Sequence, residues 1–78
     1  MTTLNLGNLA TFRLVVQRGS FSAAADALGI SQPAVSLQVR QLEQFLQTRL
    51  LERTGRGIKA TAAGMALLTL VACGGQRA

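Results

Sequence analysis

A signal that ends one helix and a signal that begins the next lie only two residues apart. This spacing constrains the fold more than any other feature of the sequence. Ser22 is a suitable N-cap for a short helix over residues 23–28, and Gly29 can adopt the left-handed conformation that ends it. Ser31 can then cap the next helix, with Pro33 in the first turn, where its missing N–H costs no hydrogen bond. The sequence therefore predicts two helices joined by a very short turn.

The spacing of apolar residues predicts a helix before this pair and identifies the buried side of the helix that follows Ser31. In the first helix, apolar side chains recur three and four residues apart until Gly19 and Ser20 end the pattern: Leu6, Leu9, Phe12, Val15 and Val16. The third helix is expected to continue to about Gln47. At about 100° per residue, four of its side chains form one narrow apolar stripe, which is predicted to face the core: Val35, Val39, Leu42 and Leu46.

The opposite side of the third helix has an unusual composition. It carries Pro33, Ser36, Leu37, Arg40, Gln44 and Gln47, flanked by Gln32, Gln38 and Glu43. A solvated helix face more typically alternates Glu and Lys in spaced pairs. Because amides and arginine suit the edges of bases, this face is predicted to bind nucleic acid. For Arg40 the alternative is an ion pair with Glu43 in the same helix.

A short hairpin is predicted after the third helix. Residues 50–53 and 58–60 can form two strands around Thr54-Gly55-Arg56-Gly57, whose glycines permit a tight turn. Arg56 then lies at the tip between two glycines, with Arg53 and Lys59 on the strands. The hairpin is therefore expected to be a narrow, positively charged projection.

The charge of the chain favours a polyanionic partner. Eight basic and three acidic residues give a net charge of +5, and residues 31–60 hold five of the basic and two of the acidic residues. The chain has no histidine and its carboxylates are scattered, so we expect neither catalytic residues nor a metal site nor a cofactor. Since Cys73 is the only cysteine, no internal disulfide can form, and the cytoplasm is the expected location.

A fourth helix is predicted from Thr61, as its N-cap, to Cys73. Its apolar run is shorter than the about 20 residues needed to cross a bilayer, so no membrane partner is expected. Apolar side chains occur on every side of this helix. A single small domain cannot cover so much apolar surface. We therefore expect a homodimer through this helix, with an interface at Met65, Leu67, Leu68 and Val71. The alternative is a helix packed entirely into its own core.

Five segments, in order and with matching gaps, resemble the LysR-type transcriptional regulators. They are GSFSAAADAL (19–28), SQPAVS (31–36), QVRQLE (38–43), LLER (50–53) and ATAAG (60–64). The resemblance implies the N-terminal DNA-binding domain of such a regulator. It would be a mainly α winged helix-turn-helix over residues 1–60, with a three-helix core and a two-stranded wing, the motif at about 21–40 and the wing at about 51–60. A linker and dimerisation helix with a tail would occupy residues 61–78.

The resemblance also implies how such a domain binds double-stranded DNA. The third helix enters the major groove and the wing a neighbouring minor groove, and a dimer recognises a palindromic operator. Gln32, Pro33 and Ser36 match family positions that meet base edges, and Arg56 matches the wing residue that enters the minor groove. The remaining expected DNA contacts are Arg53 and Lys59, on phosphates, together with Arg40 and Ser22.

Two departures from the family pattern leave alternatives open. Leu37 stands where many relatives carry a polar or basic residue, and it is either in contact with a thymine methyl group or simply exposed. The ligand-sensing second half of the family is absent from these 78 residues, so no small-molecule effector is expected to bind this chain. Besides a sequence-specific DNA-binding regulator, the alternative function is a truncated interaction protein that dimerises with full-length regulators and inactivates them.

Overall fold

Over the part of the chain that the structure describes, four helices and one hairpin make up the fold. The computed structural model describes residues 5–75, with side chains as far as Leu70. In chain order the elements are α1 (Leu6–Arg18), α2 (Phe21–Leu28), α3 (Gln32–Leu46), β1 (Leu51–Thr54), β2 (Gly57–Ala60) and α4 (Ala62–Gly75). Helices α1, α2 and α3 pack on one another, and β1 pairs antiparallel with β2. The predicted mainly α winged helix-turn-helix is confirmed.

The core lies between the three packed helices and the base of the hairpin. Its largest fully buried side chains are Phe12, Val15, Val35, Leu42 and Leu50. Val39 is 3% exposed and Leu46 is half-buried against the same cluster, so the apolar stripe predicted for the third helix faces the core. Burying this stripe fixes the direction of the opposite face of α3.

Helix α2 begins two residues before the predicted start. The N-cap is Ser20, whose Oγ accepts the N–H of Ala23 at 3.0 Å, whereas Ser22 lies exposed in the first turn. The prediction of Ser22 as the cap was wrong. Gly19 ends α1 in the left-handed conformation, so Ser20 is the next residue in position to cap, and Phe21 then packs its ring against the core.

The short turn between α2 and α3 agrees with the prediction. Gly29 has φ of 71°, and its N–H donates to the carbonyl of Ala25 at 2.8 Å. The Ile30 N–H donates to the same carbonyl at 3.1 Å, and Ser31 caps α3 by accepting the N–H of Ala34 at 3.3 Å. Only glycine adopts the left-handed conformation at almost no steric cost, so Gly29 determines this turn.

The first strand of the hairpin is shifted by one residue from the predicted strand, and the second begins one residue earlier than predicted. Leu51 pairs with Ala60 and Thr54 with Gly57, which leaves a two-residue tip at Gly55 and Arg56. Leu50, predicted in the first strand, precedes β1 and is 1% exposed. Its side chain belongs to the buried core cluster, and its N–H donates to the carboxylate of Glu43 at 2.8 Å.

The start of α4 is tied to the chain segment that leads into β1. The Thr61 hydroxyl donates to the carbonyl of Arg49 at 2.6 Å and accepts the N–H of Gly64 at 3.1 Å, so Thr61 is the predicted N-cap. The Thr61 N–H donates to the carbonyl of Leu50 at 2.9 Å. Gly64 is buried at this contact, and the close approach requires glycine, since a Cβ atom would lie 2.3 Å from that same carbonyl oxygen. Helix α4 continues two residues beyond Cys73, its predicted end.

Candidate nucleic-acid interface

The outward face of α3 presents most of the residues predicted to bind DNA. Gln32, Pro33 and Arg40 are exposed, and Leu37 is 55% exposed. Ser36 is half-buried on the side of the helix nearer the hairpin. An amide, a hydroxyl and a guanidinium are thus carried by one rigid helix, and such groups can donate to the acceptors on base edges and phosphates.

Two of the amides of α3 are occupied inside the protein. Gln41 Oε1 accepts a hydrogen bond from Asn8 Nδ2 at 3.2 Å, and Gln38 Oε1 accepts one from the hydroxyl of Thr11. Asn8 and Thr11 lie buried on α1, at 7% and 3% exposure. The amides Gln38 and Gln41 therefore hold α3 against α1, and their spacing along α3 is explained without a ligand.

The carboxylate of Glu43 contacts the backbone at the entrance to the hairpin. Its Oε2 accepts the N–H of Leu50 at 2.8 Å and the N–H of Leu51 at 3.3 Å. Glu43, offered by the sequence as an ion-pair partner for Arg40, thus bonds to the main chain that leads into β1. These two hydrogen bonds join α3 to the hairpin.

The hairpin projects its basic side chains into solvent. Arg53, Arg56 and Lys59 are all exposed, and Arg56 lies at the tip as predicted. Thr54 orders the tip: its hydroxyl accepts the N–H of Arg56 at 3.2 Å and donates to the carbonyl of Gly57 at 3.3 Å. The backbone that carries Arg56 is therefore held by the side chain of its neighbour in β1.

Two open clefts lie between the hairpin and the helices, and Arg53 lines both. The larger, of 450 Å³, brings Ser36 and Arg40 of α3 to Arg53 of β1. The smaller, of 270 Å³, is lined by Arg53 together with Ser22 and Gln32. Five of the nine predicted DNA-binding residues thus come together, while Pro33, Leu37, Arg56 and Lys59 lie outside both clefts.

One basic residue of the larger cleft was missed from the sequence. Arg49 is not among the residues predicted to bind DNA, yet it lines this cleft with Arg40 and Arg53. Its position between the end of α3 and the start of β1 was the available signal, because a residue there must lie where helix and hairpin meet.

The outer side of α4 carries no charge as far as Leu70. Met65 and Leu70 are 54% and 71% exposed, and the other exposed residues there are Ala62, Ala63, Ala66 and Thr69. Leu67 and Leu68, predicted at a dimer interface, are half-buried and pack partly against the core of the same chain. The side chain of Val71, predicted at the same interface, lies outside the described side chains. Over its described residues α4 is not wholly absorbed into its own core.

A further property of the helices concerns membranes. Across residues 5–75, the apolar stretches of the helices are too short to traverse a bilayer.

Comparison with known proteins identifies relatives of this chain. A family model described as "Bacterial regulatory helix-turn-helix protein, lysR family" matches residues 6–65. An uncharacterised HTH-type transcriptional regulator of Azotobacter vinelandii is 48% identical over 65 residues, which are 83% of this chain and 45% of that protein. The chain spans from 18% to 45% of the length of the curated relatives compared, which are named as transcriptional regulators.

Solved structures resemble both the fold and the sequence. The crystal structure of the BenM DBD with catB site 1 DNA is 38% identical, has a TM-score of 0.80, and covers 94% of this chain and 86% of its own. A Corynebacterium glutamicum OxyR C206 mutant is 35% identical with a TM-score of 0.86, over 92% of this chain and 23% of its own.

Proposed function

Since this chain belongs to the LysR family of bacterial regulatory helix-turn-helix proteins, we propose that it binds double-stranded DNA sequence-specifically, as a transcriptional regulator rather than an enzyme. The observation that carries the proposal is the outward face of α3. Gln32, Leu37 and Arg40 are exposed there, while the opposite face is locked into the core. The BenM domain that the chain resembles is bound to DNA, which supports the same partner here. As a DNA-binding regulator, the protein is expected to act in the cytoplasm.

In this proposal α3 occupies the major groove. Gln32 can make a two-pronged contact with adenine, and Arg40 can donate to guanine or to a phosphate. Ser36 donates or accepts at a base edge, and the apolar ring of Pro33 contributes van der Waals contact. Leu37, exposed on the same face, suits the methyl group of thymine.

The hairpin acts as a wing in the neighbouring minor groove. Arg56 at the tip enters the groove, whose negative potential is strongest where A/T-rich sequence narrows it. Arg53 and Lys59 bind phosphates and thereby position the wing. Ser22 binds a phosphate from the first turn of α2, where the positive end of the helix dipole favours an anion.

We assign DNA binding to residues 1–60 and dimerisation to residues 61–78. The uncharged outer side of α4, with Met65 and Leu70 exposed, is suited to pair with the same side of a second copy. Such a pair spaces two α3 helices on a palindromic operator. Of the predicted interface, Leu67 and Leu68 contribute only the parts that the core of their own chain leaves uncovered.

Titration of fluorescent duplexes tests the DNA contacts. Replacing Gln32 by Ala is expected to cost about 1–3 kcal/mol on the preferred duplex and to relax preference at one base pair. Replacing Lys59 by Gln is expected to lower affinity evenly on all duplexes and to reduce the salt slope by about 1. Equal losses on all sequences for both variants would contradict base recognition by α3.

Sedimentation equilibrium tests the dimer. Leu70→Glu is expected to yield a monomer, whereas Gln17→Glu adds the same charge at an exposed position on α1 and is expected to leave the dimer intact. A monomeric wild-type chain, or equal dissociation of both variants, would contradict the interface.

The second candidate function, heterodimerisation with a longer regulator, uses the same side of α4. Tight binding to that regulator with weak DNA binding by the chain alone would favour it.

A further inference from the structure

We propose that Glu43 is a positioning residue for the wing. Its carboxylate fixes the direction in which the hairpin leaves α3, and it thereby sets how Arg56 meets DNA. The inference rests on the proposed DNA-binding function, because it assigns to Glu43 a role in how the two DNA-binding elements act together.

The contact joins two elements through directional bonds. Glu43 Oε2 accepts the N–H groups of Leu50 and Leu51, at 2.8 and 3.3 Å, immediately before and at the start of β1. The side chains of Leu50 and Leu51 are also buried, but apolar packing is non-directional, whereas a hydrogen bond requires a defined angle. Packing therefore holds the base of the hairpin in place, and the carboxylate fixes its orientation.

The backbone carbonyl groups of the same segment bind a different residue. Thr61 binds the carbonyls of Arg49 and Leu50, through its hydroxyl and its N–H. These bonds tie the beginning of the hairpin to its end and to the start of α4, so both ends of the hairpin belong to one hydrogen-bonded unit. The hydrogen bonds from Glu43 connect this unit to α3.

The geometry of the hairpin amplifies a change at its base. At about 3.3 Å per residue, the four residues of β1 reach roughly 13 Å from the Glu43 contact to the tip. A rotation of about 10° at the base therefore moves Arg56 by roughly 2 Å, a large distance against a minor groove about 6 Å wide. A wing released from Glu43 would sample positions in which Arg56 does not reach the groove.

A pair of substitutions at Glu43 separates this role from charge and size. Glu43→Gln and Glu43→Met both remove the negative charge and keep a long side chain, but only glutamine retains an oxygen that can accept both N–H groups. Each is made in the full 78-residue chain, with and without Arg56→Ala. The probe is the duplex that the wild-type chain enriches most from a random library.

The expected result is a change in what Arg56 contributes. In the wild type and in Glu43→Gln, Arg56→Ala is expected to lower affinity about tenfold, equivalent to about 1.4 kcal/mol. In Glu43→Met the same change is expected to cost less than about threefold, because the wing no longer holds Arg56 at the groove. A loss of stability alone lowers the folded fraction of both members of a pair and cancels in this ratio. An equal cost of Arg56→Ala in the Gln and Met chains would overturn the inference while leaving the proposed function standing.

Two further measurements keep the inference testable. If Glu43→Met does not fold, Glu43→Asp replaces it, because its carboxylate is one methylene too short to reach both N–H groups. Amide hydrogen exchange needs no DNA: the amides of Leu50, Leu51 and β2 are expected to exchange faster in the Met or Asp chain than in the Gln chain. Equal exchange rates in these chains would refute the role of Glu43, whether or not a duplex is enriched. Failure to enrich any duplex would instead refute the proposed function.

Discussion

Replacing Gly64 by Ala is expected to destabilise the protein strongly although it adds only one methyl group. The added Cβ would lie 2.3 Å from the carbonyl oxygen of Leu50, 3.1 Å from Cζ of Phe12 and 3.2 Å from Cβ of Ala60. The closest of these atoms belongs to the backbone, and that carbonyl already accepts the N–H of Thr61 at 2.9 Å. Relief therefore requires the first turn of α4 to move away from the core.

The size of the effect follows from two opposing contributions. Restoring an ordinary contact distance requires a shift of roughly 1 Å, and overpacking of this kind costs about 1–3 kcal/mol. Alanine recovers up to about 1 kcal/mol as a better helix former than glycine. A backbone clash belongs at the upper end of the first range, so we expect a net loss of about 2 kcal/mol, or roughly 8–16 °C in Tm for a domain of this size.

Gly55→Ala provides the matched control, because the same methyl group there meets nothing within 4 Å. Its free energy of unfolding is expected to stay within about 0.5 kcal/mol of the wild type. Both variants are followed by thermal and urea unfolding with circular dichroism at several protein concentrations, since dimerisation would raise apparent stability with concentration. A Gly64→Ala chain as stable as Gly55→Ala would refute the close seating of α4 on Leu50.

Three further predictions concern the cap of α2, the polar contact between α1 and α3, and the charge of the larger cleft. Ser20→Ala is expected to lower the free energy of unfolding in urea by about 1 kcal/mol, whereas Ser22→Ala is expected to change it by less than about 0.5 kcal/mol. A larger loss for Ser22→Ala than for Ser20→Ala would show that Ser22 is the cap. Thr11→Val is expected to cost about 1–2 kcal/mol, because Gln38 loses a buried donor, and an unchanged unfolding midpoint would contradict that role. Arg49→Gln is expected to lower the slope of log affinity against log salt by about 1 on every duplex, and an unchanged slope would remove Arg49 from the interface.

The sequence predicted the elements whose determinants are local. The apolar stripe of α3, the turn at Gly29 and the cap at Ser31 depend on residues a few positions apart, and all three occur as predicted. Arg56 at the hairpin tip follows in the same way from the two glycines beside it. The cap of α2 was misplaced because Ser20 and Ser22 both satisfy the local rule for a cap. The end of α1 at Gly19 and the packing of Phe21 against the core favour Ser20.

The candidate site was less predictable because the roles of its residues depend on contacts outside α3. Gln38 and Glu43 looked alike on a helical wheel, as polar residues beside a DNA-binding face. The partner of Gln38 lies 27 residues away on α1, and those of Glu43 lie beyond the end of α3. Arg49 was missed for the same reason, since its place in the cleft depends on how the hairpin folds back beside α3.

Selection of bound duplexes from a random library tests the central claim most directly. If α3 and the wing of a dimer recognise DNA as proposed, the 78-residue chain enriches a two-fold symmetric site, and Gln32→Ala relaxes the preference at matching positions of both half-sites. Binding without enrichment of any sequence would contradict sequence-specific recognition and leave only electrostatic attraction to the phosphates.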